Sequence, residues 1–173
     1  MSLLRRMVAP VMVALVGATP LAAQWTADLA VCREPPPANQ HAGPIKAVYV
    51  PMRDGVRIAL DVVLPDPLPP GGKVPTILTM TRYWRAREGT GPDAMETLFT
   101  SHGYAVVSGD SRGTGASSGT WLHPRQPGEV KDFGEVVDWI AAQPWSDGNV
   151  GATGTSYAAN TADWIAWNGR QFM

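Results

Sequence analysis

The stretch from Val150 to Trp167, VGATGTSYAANTADWIAW, decides how this chain is read. Val150 to Thr153 has the composition of a short strand, and it runs directly into Gly154-Thr155-Ser156-Tyr157-Ala158. Ala159 to Trp167 then has the composition of a helix. Strand, sharp turn and helix, in that order, are what a nucleophile elbow requires. The residue at the tip sits in strained backbone, so its neighbours two positions either side must be small for strand and helix to approach. Gly154 and Ala158 meet that demand. Ser156 then projects from the tip, and the helix N-terminus behind it favours developing negative charge. The backbone N–H of Tyr157 is placed to serve as an oxyanion donor.

Upstream, the pattern alternates strands with helices. Lys46 to Met52 (KAVYVPM) and Val56 to Leu64 (VRIALDVVL) are β-rich and joined by Arg53-Asp54-Gly55, where Asp-Gly is a hairpin turn. Four prolines between Pro65 and Pro70, with Gly71-Gly72, make a loop. Val74 to Thr81 (VPTILTMT) is an apolar run of buried-strand length. Asp93 to Ser101 reads as a helix closed by His102-Gly103, and Tyr104 to Ser108 as the next strand. A glycine-rich loop covers Gly109 to Gly119. Glu129 to Gln143 is an amphipathic helix, with Val130, Phe133, Val136, Val137 and Ile140 on one face and Lys131, Asp132, Glu135 and Asp138 elsewhere. Pro144 stops it, and Asp147-Gly148 turns the chain into the Val150 strand. The fold class that follows is α/β: a mostly parallel sheet, opened by an antiparallel hairpin and carrying helices on its faces.

With 173 residues, 45% hydrophobic and 17% charged, the chain suits one core-forming domain and excludes a disordered tail, a coiled coil or a collagen-like rod. A net charge of −1 gives no bulk attraction to nucleic acid or to an anionic membrane. The single cysteine, Cys32, excludes an intrachain disulfide framework and a cysteine-based zinc site. Residues 1–23 have the layout of a secretory signal peptide: Arg5 and Arg6, an apolar run from Met7 to Ala18, and the small pair Ala22-Ala23 before Gln24. Cleavage after Ala23 or after Ala18 both fit, and the expected location is secreted or periplasmic. The run is too short to leave a stable membrane anchor. Residues 24–45 are polar and proline-broken and read as an extended leader, in which Cys32 is an unpaired thiol.

Other motifs carry less. Gly119 comes one residue too late after Gly113 and Gly115 for the dinucleotide fingerprint, and no lysine stands at phosphate-loop spacing. The loop is therefore read as structural, with Asp110 and Arg112 bracing it. Arg82-Tyr83-Trp84-Arg85-Ala86-Arg87 interleaves basic and aromatic residues, but the patch is short and the mature chain acidic, so no nucleic-acid partner is expected. His41, His102 and His123 have no metal-ligand spacing, and no metal or cofactor is expected.

Taken together, six segments resemble the cocaine-esterase and Xaa-Pro dipeptidyl-peptidase family of α/β-hydrolases, which includes α-amino-acid ester hydrolases and glutaryl-type acylases. They are VPMRDGV (Val50 to Val56), TRY (Thr81 to Tyr83), GYAVV (Gly103 to Val107), DSRGTG (Asp110 to Gly115) with Ser117 and Gly119, WSDGNVG (Trp145 to Gly151) and GTSY (Gly154 to Tyr157). The resemblance implies that Ser156 is the catalytic serine. It implies that the Tyr83 hydroxyl donates to the oxyanion beside the Tyr157 N–H. Two positions depart from the family pattern. Ala159 stands where glycine is usual, and Ala158 stands where members that bind a free α-amino group place a carboxylate.

In this fold the acid and the base follow the serine in the chain. Here only Asp163 follows Ser156, and no histidine does. The expectation is therefore that residues 46–173 are the N-terminal portion of an α/β-hydrolase domain, an incomplete part that is inactive alone. The whole protein would be a serine hydrolase of acyl esters or amides, including short Xaa-Pro peptides. The alternative from another class is a non-catalytic remnant or binding module that keeps the fold pattern.

Overall fold

The computed structural model describes residues 40–85 and 91–167. The signal-peptide reading, Cys32, most of the leader, and Ala86 and Arg87 of the basic-aromatic patch lie outside the described residues.

Strands β2 (Lys46–Pro51) and β3 (Arg57–Val63) form the expected hairpin, with Val50 opposite Ile58 and Val48 opposite Leu60. Its turn works because Gly55 takes φ +80°, where its N–H reaches the Met52 carbonyl at 2.9 Å. Strand β5 (Val74–Thr81) buries Val74, Thr76, Leu78 and Met80, alternate residues, as a strand with one covered face must. It is followed by helix α1 (Ala94–Ser101), strand β6 (Ala105–Asp110), helix α2 (Pro127–Ala141), strand β7 (Ser146–Ala152) and helix α3 (Tyr157–Trp167). Asp93 caps α1 with a reciprocal Asp93–Glu96 capping box, and Gly103 at φ +85° follows its end.

The five strands lie in the order β2-β3-β6-β5-β7. β3 pairs antiparallel with β2 and β6, whereas β5 pairs parallel with β6 and β7. The class is α/β, as read, although within the described residues parallel and antiparallel junctions are balanced. One face of the sheet forms the core: Leu60, Leu78, Met80 and Val107 meet Phe133, Val136, Val137 and Ile140 of α2 and Ile165 of α3.

Four details differ from the sequence reading. His41 is not in a loop: β1 (His41–Ala42) pairs with β4 (Pro65–Asp66), inside what was read as leader and proline loop. Strand β6 carries on through Gly109 and Asp110, so the glycine loop starts two residues later than the composition suggests. Asp147-Gly148 is not a turn before β7 but a bulge within it. Val74 faces Ser146 and Thr76 faces Val150, so β7 carries two extra residues, with Gly148 at φ +91°. Finally, Asp132 is on the buried side of α2, not the solvent side. Arg112 meets it at 2.5 Å and Arg53 at 2.9 Å, so two guanidinium groups from the loop and the hairpin make the buried carboxylate tolerable.

Candidate active site

The junction between β7 and α3 is built from the strand outward. Past Ala152, the Thr153 N–H donates to the Leu78 carbonyl at 3.0 Å, and the Thr79 hydroxyl donates to the Thr153 carbonyl at 3.2 Å. The start of the helix is tied to the same central strand, because the buried Thr161 hydroxyl donates to the Met80 carbonyl at 2.8 Å. Between Thr153 and Tyr157, the first residue of α3, only three residues turn the chain. Ser156 takes φ +58°, a region that residues with a Cβ seldom enter. It is exposed, whereas Tyr157 and Ala158 beside it are buried. A Cβ on Gly154 would lie 2.5 Å from the Ala158 carbonyl carbon, so the turn leaves no room for one. The N–H groups of Ala158, Ala159 and Asn160 are taken by the Thr155 and Ser156 carbonyls. The Tyr157 N–H, at the first helical position, has no intrahelical acceptor.

Tyr83 arrives at this turn from the end of β5, where its N–H donates to the Thr81 hydroxyl at 3.0 Å. Its ring meets the Tyr157 ring edge-on at 6.0 Å. Arg82 donates to the Tyr83 hydroxyl oxygen at 3.0 Å. That bond holds the phenol below its ordinary pKa, and a hydrogen bond with the Ser156 side chain adds to the lowering. Tyr83, which the family resemblance pairs with the elbow, thus lies beside Ser156 and Tyr157.

Behind them lies a buried support that sequence reasoning missed. The Tyr157 hydroxyl donates to the carboxylate of Glu129, which is fully buried on α2 and also accepts the Arg125 N–H at 2.9 Å. Burial first, and then this carboxylate, push the Tyr157 phenol well above its ordinary pKa. The signal was present in the spacing. Glu129 stands four residues before Phe133 and so lies on the apolar face that Phe133, Val136, Val137 and Ile140 define.

The glycine-rich loop is folded onto itself. Gly113, Thr114, Ser117 and Ser118 donate their N–H groups to backbone carbonyls of Ser118, Ser111, Thr114 and Arg57. Buried Asp110 braces it by accepting from the Ala116 N–H at 2.9 Å and from Arg85 at 2.8 Å. Arg112 instead crosses to Asp132 and Asp54, pinning the loop to α2 and the hairpin.

A cavity of about 370 Å³ opens beside the turn, lined by Tyr83, Trp84, Glu96, Gly154, Thr155 and Ala158 among others. A larger one, about 550 Å³, lies between the hairpin and the end of α2 against Val62, Leu64, Trp139 and Trp145, and it holds none of the predicted site residues. His102 Nδ1–H donates to the Leu98 carbonyl at 2.8 Å, and His123 Nδ1–H to the Pro124 carbonyl at 3.0 Å. Among the described residues no three His, Cys, Asp or Glu side chains cluster as metal ligands, and no helix is long and apolar enough to cross a membrane.

Several known proteins are similar to this chain over part of their length. The cocaine esterase of Rhodococcus sp. (strain MB1 Bresler) is 41% identical over 118 residues, covering 66% of this chain and 19% of its own length. A protein of Mycobacterium tuberculosis (strain CDC 1551 / Oshkosh), provisionally named a serine esterase, is 39% identical over 136 residues, covering 69% of this chain and 22% of its own. The chain therefore spans about a fifth of the length of these relatives. Among solved structures, a CocE/NonD family hydrolase from Staphylococcus aureus superposes with a TM-score of 0.63 at 26% identity, over 79% of this chain and 29% of that one. Residues 54–171 match the sequence pattern described as X-Pro dipeptidyl-peptidase (S15 family), and with well over half of its length matched the chain belongs to that family of serine hydrolases.

Proposed function

We propose that this chain is the nucleophile-bearing part of a secreted or periplasmic serine hydrolase that cleaves acyl esters or amides, short Xaa-Pro peptides included. The observation that carries the proposal is Ser156 at φ +58° in a three-residue turn between a parallel strand and a helix, exposed and beside Tyr83. In this reading the Ser156 Oγ–carbon bond forms as the carbonyl π pair moves onto oxygen. The Tyr83 hydroxyl and the Tyr157 N–H receive the resulting oxyanion. The serine proton passes to a histidine outside this stretch, oriented by an aspartate also outside it, and that histidine returns the proton to the leaving group. What supports an external base is that His102 and His123 donate an Nδ1–H to the Leu98 and Pro124 carbonyls and that His41 lies in the β1–β4 pair.

Three outcomes test this. In a longer chain that carries the base, Tyr83→Phe removes one hydroxyl, so folding should survive while kcat falls by about 10²–10³. Unchanged kcat would leave Tyr83 a packing residue. The 173-residue chain alone should show no Ser156-dependent hydrolysis of p-nitrophenyl esters, because an unassisted serine hydroxyl is a weak nucleophile. Robust turnover that vanishes in Ser156→Ala would make one of the three histidines the base. Export is read from residues 1–23, and mass spectrometry of secreted material should find an N-terminus close to Gln24. An intact Met1 on exported, folded protein would refute it.

A further inference from the structure

Arg82 is an arginine without an acid. Among the described residues Arg53, Arg85 and Arg112 each have at least one carboxylate, whereas Arg57, Arg82 and Arg125 form no ion pair; Arg57 and Arg125 each lie over one ring, Arg82 against three. Its charge is instead held among three rings. The guanidinium carbon lies 4.8 Å from the Tyr157 ring centroid, 5.0 Å from that of Tyr83 and 5.3 Å from that of Trp121, all within cation–π range. Rings from three separate segments therefore fix the position of one half-buried cation. Its Nη2–H points at the Tyr83 hydroxyl, 3.0 Å away.

That hydrogen bond has only one possible direction. A guanidinium has donors and no acceptor, so the Tyr83 oxygen must accept, and its single proton must point elsewhere. We propose that Arg82 is a positioning residue for the oxyanion site: by occupying a lone pair of Tyr83 it turns the phenolic proton away from itself, leaves it for the oxyanion formed beside Ser156, and polarises it. The inference rests on the reading of Ser156 and Tyr83 as a reacting pair. Lysine is a poor substitute because it lacks the planar group that stacks on rings.

The Arg82–Tyr83 bond is tested without turnover. The 173-residue chain is labelled with [ζ-¹³C]tyrosine and titrated by NMR. Of its four tyrosines, Tyr83 is assigned by the signal lost in Tyr83→Phe. The charged groups that line the cavity with Tyr83 are Asp93 and Glu96 of α1 and Arg85 of its own loop, and they are common to all variants compared. In the wild type Tyr83 should titrate below the ordinary phenol value of about 10. In Arg82→Met its midpoint should rise to about 10 or above, and Arg82→Lys should retain part of the lowering. Arg82→Gln serves the same comparison if the methionine variant does not fold. A Tyr83 midpoint that does not move in the neutral variants, or that lies at about 10 in the wild type, overturns the inference.

Its catalytic meaning is read in the longer enzyme. Arg82→Met should lower kcat with KM nearly unchanged, and in a Tyr83→Phe background it should cost less than about twofold more, because the effect runs through the missing hydroxyl. Fully additive losses would place Arg82 on the substrate itself and overturn the positioning role. If Ser156→Ala left turnover intact, the reading of the site would fail while the titration still reported the Arg82–Tyr83 bond.

Discussion

Replacing Ser156 by alanine, in a chain long enough to carry the histidine and aspartate, should lower kcat for a p-nitrophenyl ester by a factor on the order of 10⁶. The size follows from what is removed. Without the serine no acyl-enzyme forms, and the base and its orienter have no proton to handle, so the machinery fails as a unit rather than in part. The residue is exposed and its side chain supports no core contact. Stability should therefore stay within about 0.5 kcal/mol. Residual rate from the oxyanion donors alone would remain above water. A variant that retained more than about a hundredth of wild-type kcat would show that Ser156 is not the nucleophile.

A second large loss is expected from Gly154→Ala, which leaves every proposed reacting group in place. The added Cβ would sit 2.5 Å from the Ala158 carbonyl carbon and 2.7 Å from its oxygen, both backbone atoms that cannot swing aside. Strand and helix must part, and α3 is held to β5 through Thr161 and Met80. Overpacking of this kind costs about 1–3 kcal/mol. Displacing Ser156 by even about 1 Å from its attack geometry should cost at least about 10² in kcat. Gly151→Ala is the matched control in the same strand. Its Cβ would meet Ile77 Cδ1 at 3.5 Å and the Thr76 carbonyl oxygen at 3.9 Å, both ordinary contacts, so denaturation midpoint and kcat should both stay near wild type. Equal behaviour of the two variants would mean that the close approach at Gly154 does not hold the turn.

Much of this was legible in the residues because local signals and tertiary demands coincide here. The alternation of β5, the Asp93 cap of α1 and the Gly55 turn each have a short-range cause, and the structure keeps them. The three candidate site residues were found because Gly154 and Ala158 bracket a serine at a strand–helix junction, and because Tyr83 belongs to a segment that resembles the family. What escaped had long-range causes. Asp132 reads as a surface residue until Arg112 and Arg53, 20 and 79 positions away, are brought against it. The Asp147-Gly148 bulge depends on the register of β7 against β5, which no window of ten residues contains. Arg82 read as part of a basic patch, and only the convergence of Tyr83, Trp121 and Tyr157 gives it another role.

The most direct test of the central claim, that Ser156 is the nucleophile of a serine hydrolase, is covalent labelling with a fluorophosphonate, in a chain long enough to carry the base, followed by peptide mapping. One adduct is predicted, on Ser156, formed in step with loss of esterase activity and absent from Ser156→Ala. An adduct on another residue, or complete activity with no adduct on Ser156, would contradict the account.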